Sequence, residues 1–420
     1  MPRCGANRNA DAVVSFPMRR APFMQNLFRI SLFAVLISGP VLFAQTVKKL
    51  GEIKVEVDGT TIPVRVSANT PELQSLAQTA FSSHGRYRVD ATKPAYDIKF
   101  TQVAATQVRV DVTKGAAAAP VVSQVVSGTN SRHALLRAAD VAVEKSNQAG
   151  LRGFFTARLA FVSKSAGNRG DVYTTDLFLG EARRLTQDNA FVLSPRWSPD
   201  GSRILFTSYF KNNAPDIYFL DPNTGRKDLF ANYRGTNMGA RFSPNGQQVA
   251  MVLTVEGTPE IYVRSAQGGQ PVRKTRSDTG KSSPCWSPDG SQIVFEMEPG
   301  PQLYVMSAAG GAPRRLTSSF GYSAEADWSR TNPNKIVCSV RVNGRFQIAV
   351  IDVASGAGKV VSKAPFDGVE PSWLADGRHV VYTARDKTTS VLCILDTETG
   401  SSFALGKVSS ASEKASVWTP

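Results

Sequence analysis

A short motif recurs at nearly constant intervals along the second half of the chain, and no other feature constrains the fold as strongly. Its aromatic position falls at Trp197, Phe242, Trp286, Trp328 and Trp373, in steps of 45, 44, 42 and 45 residues. In the clearest copies the aromatic residue is followed, in this order, by Ser, Pro, either Asp or Asn, and Gly. These residue types are typical of tight turns. This period, with several short strands in each unit, is typical of a β-propeller.

The segments between the motifs alternate in hydrophobicity as short strands do. Ile204–Ser208 and Asp216–Leu220 illustrate the second and third strands of a unit, and Arg314–Thr317 illustrates a fourth. Four short strands in about 44 residues make one blade. We therefore interpret the repeated tryptophans, including Trp418, as blade-packing residues. The carboxylates and amides of the motif are interpreted as turn residues and not as catalytic groups or metal ligands: Asp200, Asn245, Asp289 and Asp376.

The two ends of the repeat region predict how the ring closes. Arg158–Ser163 and Asp171–Tyr173 match the second and third strands of a unit, but no motif precedes them. The missing motif strand matches Val417–Pro420, where Trp418 follows Trp373 by 45 residues. The C-terminal strand should therefore complete the first blade. This predicts a closed ring of six blades, which leaves few free sheet edges.

The N-terminal segment has the pattern of a secretory signal. Arg19, Arg20 and Arg29 precede an apolar run from Ile30 to Phe43 that is short for a membrane span. We assign residues 1–44 to a signal peptide cleaved after Ala44, which predicts export to the periplasm. A retained N-terminal anchor is the competing interpretation, and the start could instead be Met18 or Met24.

Residues 45–150 show a mixed pattern and are predicted to form a small α/β domain ahead of the propeller at 151–420. Lys54–Val66 resembles two strands across a turn. Pro71–Phe81 and Ala134–Lys145 have helical periodicity. Ala95–Phe100 and Gln107–Val112 alternate as strands.

Charge and composition exclude several kinds of protein. The net charge is +15, and removing the presumed signal, with its five basic residues and Asp11, leaves +11. The remaining basic residues are scattered and not clustered, so we expect no nucleic-acid partner. Cys285, Cys338 and Cys393 lie in or beside apolar strands and match no zinc pattern, so we interpret them as buried free thiols.

No catalytic constellation is recognisable in the sequence. The Gly-x-Ser-x-Gly nucleophile elbow of propeller-gated peptidases does not occur, and no glycine-rich phosphate loop follows a strand. His84, His133 and His379 are interpreted as ordinary polar residues. We therefore expect a protein that is not an enzyme and that needs no metal or cofactor.

The segment joining the two predicted domains resembles the TolB family, the periplasmic component of the Tol–Pal envelope system. Asp140–Lys145 is similar to the family's second helix, and Gly150–Val162 is similar to its Gly-x-Phe hinge and first propeller strand. Signal, α/β domain and six-bladed propeller also follow in the family's order. The resemblance implies a periplasmic scaffold that binds a peptidoglycan-associated lipoprotein and supports outer-membrane integrity and invagination during cell division.

This chain departs from the family pattern at two places. The segment that would reach an inner-membrane Tol protein corresponds to Gln45–Leu50, and its motif is not recognisable. Asn237–Ala240 stands where the family tends to have Asn-Gly-Ala-Pro. A stand-alone periplasmic propeller that binds a peptide, a sugar or another small ligand is therefore the alternative.

The loops that enter the inner strands should gather at one mouth of the ring, where rigid scaffolds commonly bind partners. The candidate partner-binding residues in these loops are Asn189, Phe191, Thr236, Asn237, Lys281, Tyr322 and Glu370.

Overall fold

The structure, a computed structural model, describes residues 61–89, 92–147, 149–164, 169–211, 214–409 and 411–420. The signal assigned to residues 1–44 and the segment Gln45–Leu50 lie outside these ranges. Within the described residues, no helix is both long enough and apolar enough to cross a membrane.

The elements of the N-terminal part are β1 Ile62–Ala68, α1 Pro71–Ser83, β2 Tyr87–Val89, β3 Tyr96–Ala104, β4 Gln107–Lys114, β5 Val122–Ser127 and α2 Ser131–Ser146. The strands form one sheet in the order β2-β1-β3-β4-β5. β1 is parallel to β2 and β3, whereas β3, β4 and β5 pair antiparallel. The small α/β fold predicted from the sequence is confirmed.

Both helices begin at side-chain caps. Thr70 Oγ1 accepts a hydrogen bond from Leu73 N at 3.4 Å, and Pro71 occupies the first turn, where its missing N–H costs nothing. Asn130 Oδ1 caps α2 by accepting from His133 N at 2.8 Å. The apolar stripes of both helices, with Phe81 and Leu135 fully buried, cover one face of the sheet.

The remaining strands form the propeller. They are β6 Arg158–Lys164, β7 Gly170–Asp176, β8 Arg183–Arg184, β9 Val192–Trp197, β10 Ile204–Ser208, β11 Asp216–Leu220, β12 Lys227–Ala231, β13 Asn237–Phe242, β14 Gln248–Leu253, β15 Glu260–Ser265, β16 Gly268–Arg273, β17 Lys281–Trp286, β18 Gln292–Met297, β19 Gln302–Ser307, β20 Arg314–Arg315, β21 Ser323–Trp328, β22 Lys335–Val342, β23 Arg345–Asp352, β24 Gly358–Val360, β25 Asp367–Trp373, β26 His379–Arg385, β27 Ser390–Asp396, β28 Ser402–Gly406 and β29 Ala411–Trp418.

These strands make six four-stranded antiparallel sheets, as the repeat predicts. Blade 1 consists of β29, β6, β7 and β8, so the C-terminal strand does complete the first blade. Blades 2 to 6 are the consecutive groups of four from β9 to β28. The motif forms the turn between the first two strands of a blade. There the glycine has a positive φ, for example 71° at Gly201, and the Asp200 carboxylate accepts from Ser198 Oγ at 2.6 Å.

The alignment of the last repeat differs from the sequence prediction by one residue. Trp197, Trp286 and Trp373 pair with Ile204, Ile293 and Val380. In blade 1 the corresponding residue, Leu159, pairs with Val417, and Trp418 pairs with Arg158. Val417 therefore occupies the aromatic position of the repeat. Trp418 instead stacks on Trp197, with ring centroids 5.7 Å apart, and its indole N–H donates to Pro199 O at 3.0 Å.

The N-terminal part packs directly on the propeller, and one buried apolar cluster includes residues of both, such as Phe81, Leu135, Phe155 and Val417. The hinge between them is fixed by Asp140 of α2. Its carboxylate accepts three backbone N–H bonds of 3.0 Å, from Phe154, Phe155 and Thr156, and one from Thr156 Oγ1 at 2.6 Å. Arg132 of α2 also donates to Asp176 of blade 1 at 2.7 Å.

Candidate functional site

Each inner strand of the ring carries a β-bulge three residues before its aromatic position. There the pairing register with the second strand shifts by one residue, as between Met238 and Arg241 or between Val369 and Ser372. The first bulge residue has a positive φ in all six blades, which is uncommon for residues other than glycine. These residues are Ser194 (50°), Gly239 (65°), Ser283 (48°), Glu325 (58°), Glu370 (55°) and Lys414 (59°).

The bulges converge on the axis of the propeller. They line a cavity of about 110 Å³ together with the arginines Arg196 and Arg241. Three of the six bulge residues are small and neutral, and the other three, in consecutive blades, are Glu325, Glu370 and Lys414. The ring is thus nearly symmetric in its backbone but strongly asymmetric in the charges it presents to its axis.

Hydrogen bonds between blades hold these charged bulges in place. Glu325 Oε2 accepts from Ser339 Oγ at 2.5 Å and from Glu370 N at 2.8 Å. Glu370 Oε1 forms an ion pair with Lys414 Nζ. Lys414 N donates to Thr383 Oγ1 at 3.0 Å. The charged side of the axis is therefore pre-organised and not a set of freely rotating side chains.

A second charged layer lies one residue before the aromatic positions. Arg241 donates to Asp327 Oδ1 at 2.6 Å across two blades, and Asp327 Oδ2 accepts from Trp373 N at 2.7 Å. Burial, together with the nearby Arg241 guanidinium, lowers the pKa of Arg196 to about 10. Because no carboxylate bonds directly to Arg196 within the described residues, this guanidinium can still bind an acidic group entering the cavity.

The surroundings shift the pKa values of Glu325 and Glu370 in opposite directions. Burial and the neighbouring Glu370 carboxylate raise the pKa of Glu325 to about 7. Burial also acts to raise the pKa of Glu370, but the Lys414 ammonium outweighs it and holds that pKa below its usual value. Glu370 is thus the charged member of the pair, and Glu325 binds a proton near neutral pH.

We expect Glu325→Gln to change how stability depends on pH. Between about pH 4.5 and 7, Glu325 keeps its proton in the folded wild type. In the unfolded chain the same carboxyl has its ordinary pKa of 4.5 and has lost the proton. Wild-type stability should therefore fall between about pH 4.5 and 7 relative to the variant, by on the order of 2 kcal/mol. Thermal melts of both proteins at pH 5 and pH 8 measure this, and parallel pH profiles would contradict it.

The structure places the candidate residues from the sequence in different settings. Six of the seven precede or begin inner strands and so belong to the same end of the ring, whereas Glu370 lies within β25 at the axial bulge. Asn189 is exposed, and Thr236 is half-buried with its N–H donating to Thr254 Oγ1. The rings of Phe191 and Tyr322 pack on Tyr209 and Phe346, with centroids 5.2 and 5.3 Å apart.

Two candidates have structural roles that leave them unavailable to a partner. Lys281 is 2% exposed, and its ammonium lies 3.3 Å from the buried Glu260 carboxylate. Asn237 is fully buried, and its side chain accepts from Tyr233 N and donates to Tyr233 O, both at 2.8 Å. Their polarity suggested a surface loop, but both satisfy buried polar groups instead.

Sequence analysis missed the most exposed aromatic residue at this mouth and most of the axial charges. Phe210, in the loop after β10, is 53% exposed, and Lys227 Nζ lies 4.1 Å from its ring centroid. Glu325 could have been found by aligning the repeats, because the third residue before the aromatic position changes from Ser or Gly to Glu there. Lys414 could not, because an alignment on Trp418 places Ala415 at that position.

Two other places could hold a ligand. An open cleft of about 400 Å³ lies at the hinge, where Arg137, Asp140, Arg152 and the C-terminal Pro420 line it. Among the described residues, one group of side chains, His84, Asp376 and His379, is arranged closely enough to bind a metal ion. The three cysteines that the structure describes are buried and form no disulfide, as predicted.

Comparison with known proteins agrees with the architecture. Residues 146–420 match a family model described as the TolB beta propeller domain. A Tol-Pal system protein TolB of Desulfosudis oleivorans is 33% identical over 128 residues, or 30% of this chain and 28% of the relative. The Bordetella pertussis protein of the same name is 33% identical over 150 residues, or 35% of this chain and 33% of the relative. The matched stretches thus span about a third or less of these relatives.

Solved structures share the fold. The crystal structure of TolB from Acinetobacter baumannii superposes with a TM-score of 0.73 at 22% identity, covering 85% of this chain and 96% of that one. A putative TolB from Agrobacterium tumefaciens gives a TM-score of 0.50 at 19% identity, covering 63% of this chain and 98% of the other.

Proposed function

The chain belongs to the TolB β-propeller family, and from this premise we propose that it is a non-enzymatic periplasmic scaffold of the Tol–Pal envelope system. In this proposal residues 1–44 direct export, residues 45–150 form the N-terminal domain, and the propeller at 151–420 binds a peptidoglycan-associated lipoprotein at its mouth. Such binding supports outer-membrane integrity and invagination during cell division. A contact of the N-terminal domain with an inner-membrane Tol protein is the second partner in the proposal.

The observation that carries the proposal is the pre-organised, charge-asymmetric mouth of the ring. Glu325, Glu370 and Lys414 are held at the axis by bonds between blades. Phe210 is exposed at the same end of the ring. A folded protein partner can bind a rigid surface that combines fixed charges with an exposed aromatic side chain. Little free energy is then lost in ordering the surface.

The size of the axial cavity favours a protein partner over a small ligand. Sites for sugars and drug-sized molecules usually enclose about 300–1,000 Å³. The cavity between the bulges measures about 110 Å³. It has room for the tip of one side chain from a partner that covers the mouth, which disfavours the stand-alone ligand-binding propeller.

Binding to the soluble domain of a peptidoglycan-associated lipoprotein from the same organism tests the proposal. Phe210→Ala should weaken the complex by about 2 kcal/mol, a roughly thirtyfold loss, because it removes an exposed aromatic ring from the proposed contact surface. Isothermal titration calorimetry with purified proteins measures the loss.

The matched control is Val272→Ala, which truncates a residue that is 57% exposed on the outer strand β16 and should bind as the wild type does. If the wild type does not bind the lipoprotein, the proposed partner is wrong. If Phe210→Ala and Val272→Ala bind equally well, the partner does not use this mouth.

A further inference from the structure

The end of helix α1 meets blade 6 at a buried, histidine-rich contact. His84 follows α1 directly, and its ring lies 4.4 Å from that of His379 in β26, measured between centroids. The backbone approaches closely here, because a Cβ atom on Gly85 would lie 2.2 Å from Asp396 Oδ2. Two elements nearly 300 residues apart in sequence thus place their imidazoles side by side.

Both imidazoles are fully buried, and each has an unsatisfied nitrogen. His84 and His379 are 0% exposed, and within the described residues neither Nε2 atom has a hydrogen-bond partner. Phe154 closes the site, with its ring centroid 4.5 Å from that of His84 and 4.8 Å from that of His379. Buried polar nitrogens are nearly always satisfied, so two unsatisfied ones at a single place call for a partner.

The carboxylates around the two rings are arranged as they are around metal-binding histidines. Asp376 Oδ2 lies 2.6 Å from His379 Nδ1, an arrangement that makes Nδ1–H the donor and leaves the Nε2 lone pair free. Asp396 Oδ2 lies 3.8 Å from His379 Nε2, and two bonds from Arg378 hold its carboxylate in place. His84, Asp376 and His379 can each bring one ligand atom to within 4.8 Å of the others.

We propose that this cluster binds a divalent transition metal ion of the zinc class, which joins the N-terminal domain to blade 6 of the propeller. The Nε2 atoms of His84 and His379 are the imidazole ligands, and Asp376, the carboxylate that lies within 4.8 Å of both, positions the His379 ring through Nδ1. Asp396 Oδ2, 3.8 Å from His379 Nε2, is the second carboxylate beside the two rings. Imidazole with carboxylate is a donor set that Zn²⁺ accepts and that Mg²⁺ and Ca²⁺ do not favour. This inference does not depend on the proposed lipoprotein partner.

Metal binding requires two small structural changes at the site. Ligand atoms around a zinc ion lie about 2.0–2.2 Å from the metal, so the group must contract by roughly an ångström. His84 Nδ1 accepts a long hydrogen bond of 3.3 Å from Arg86 N, and binding through Nε2 requires this contact to relax as the ring proton moves to Nδ1. The second change lies within the short turn between α1 and β2.

The test uses the full chain after treatment with a chelator. Isothermal titration with Zn²⁺ should show one site per chain, and Zn²⁺ but not Mg²⁺ should raise the melting temperature. His84→Gln and His379→Gln should each weaken Zn²⁺ binding by more than about 100-fold, and Asp376→Asn by about 10–100-fold. His133→Gln is the matched control, since His133 lies at the start of α2 away from the cluster.

Co²⁺ binding to the wild type provides a measurement that does not depend on the stability of any variant. Visible absorption with the intensity of four- or five-coordinate nitrogen–oxygen ligation is expected, and Zn²⁺ should displace it. The proposal is overturned if the wild type binds no stoichiometric Zn²⁺, if Co²⁺ retains the spectrum of the hydrated ion, or if the folded His84 and His379 variants bind as tightly as His133→Gln.

Discussion

Deleting residues 411–420 should remove most of the stability of the propeller. β29 is the inner strand of blade 1, and without it β6 loses its pairing partner and presents an open edge at the centre of the ring. Val417 is 8% exposed at the aromatic position, and Trp418 stacks on Trp197 of the next blade. The loss of these side chains and of the pairing hydrogen bonds should lower the free energy of unfolding by at least about 5 kcal/mol. This is a large share of the total, because whole domains are stable by only ~5–15 kcal/mol.

Chemical denaturation followed by tryptophan fluorescence measures this cost. Deletion of Pro420 alone is the control, since this residue is exposed and lies outside β29. A protein lacking residues 411–420 that unfolds at the wild-type denaturant concentration would show that the ring does not depend on its C-terminal strand.

Asp140→Ala should have the second-largest effect, because this one carboxylate accepts three consecutive backbone N–H groups of the hinge. The substitution leaves the backbone N–H groups of Phe154, Phe155 and Thr156 without their acceptor in a mostly buried segment. Each unsatisfied buried donor costs about 1–3 kcal/mol, so a total of roughly 3 kcal/mol or more is expected. The N-terminal part and the propeller should then unfold in separate steps, since the hinge holds them together.

Hydrogen exchange at the three hinge amides, together with thermal melts, measures the effect. Glu144→Ala removes an exposed carboxylate one turn further along the same helix, together with its 3.4 Å ion pair to the exposed Arg152 side chain, and should change both far less. If Asp140→Ala exchanges and melts as Glu144→Ala does, the hinge is held by its apolar contacts alone.

The N-terminal part and the propeller are joined by contacts at two sides of the hinge. Asp140 at one side and the His84–His379 contact at the other both join the N-terminal helices to the propeller. Phe154 and Phe155 lie between them in the shared apolar cluster. The junction is therefore fixed by the hydrogen bonds to Asp140 as well as by aromatic and apolar packing.

Features set by local chemistry could be predicted from the sequence alone. The Pro-Asp-Gly turns and alternating strands define a blade within about 44 residues, because turn geometry and strand periodicity depend on neighbouring residues. The helices predicted over Pro71–Phe81 and Ala134–Lys145 are confirmed as parts of α1 and α2, since their apolar stripes lie within each segment. The absence of a motif before Arg158 and its presence at the C-terminus were enough to predict six blades and their closure.

Only the tertiary structure decided which polar residues are buried and which neighbours they meet. Lys281 and Asn237 were placed among the partner-binding residues because the loops that enter the inner strands meet at one mouth. Yet Lys281 is buried against Glu260 of the preceding blade, and Asn237 is buried against Tyr233, four residues before it. The one-residue shift that puts Val417 at the aromatic position depends on pairing with Leu159, a contact across 258 residues that the spacing of tryptophans does not specify. His84 and His379 likewise meet because the N-terminal domain docks on blade 6. The long-range contacts Lys281–Glu260, Val417–Leu159 and His84–His379 depend on the packing of whole blades and domains, and no local pattern in the chain encodes them.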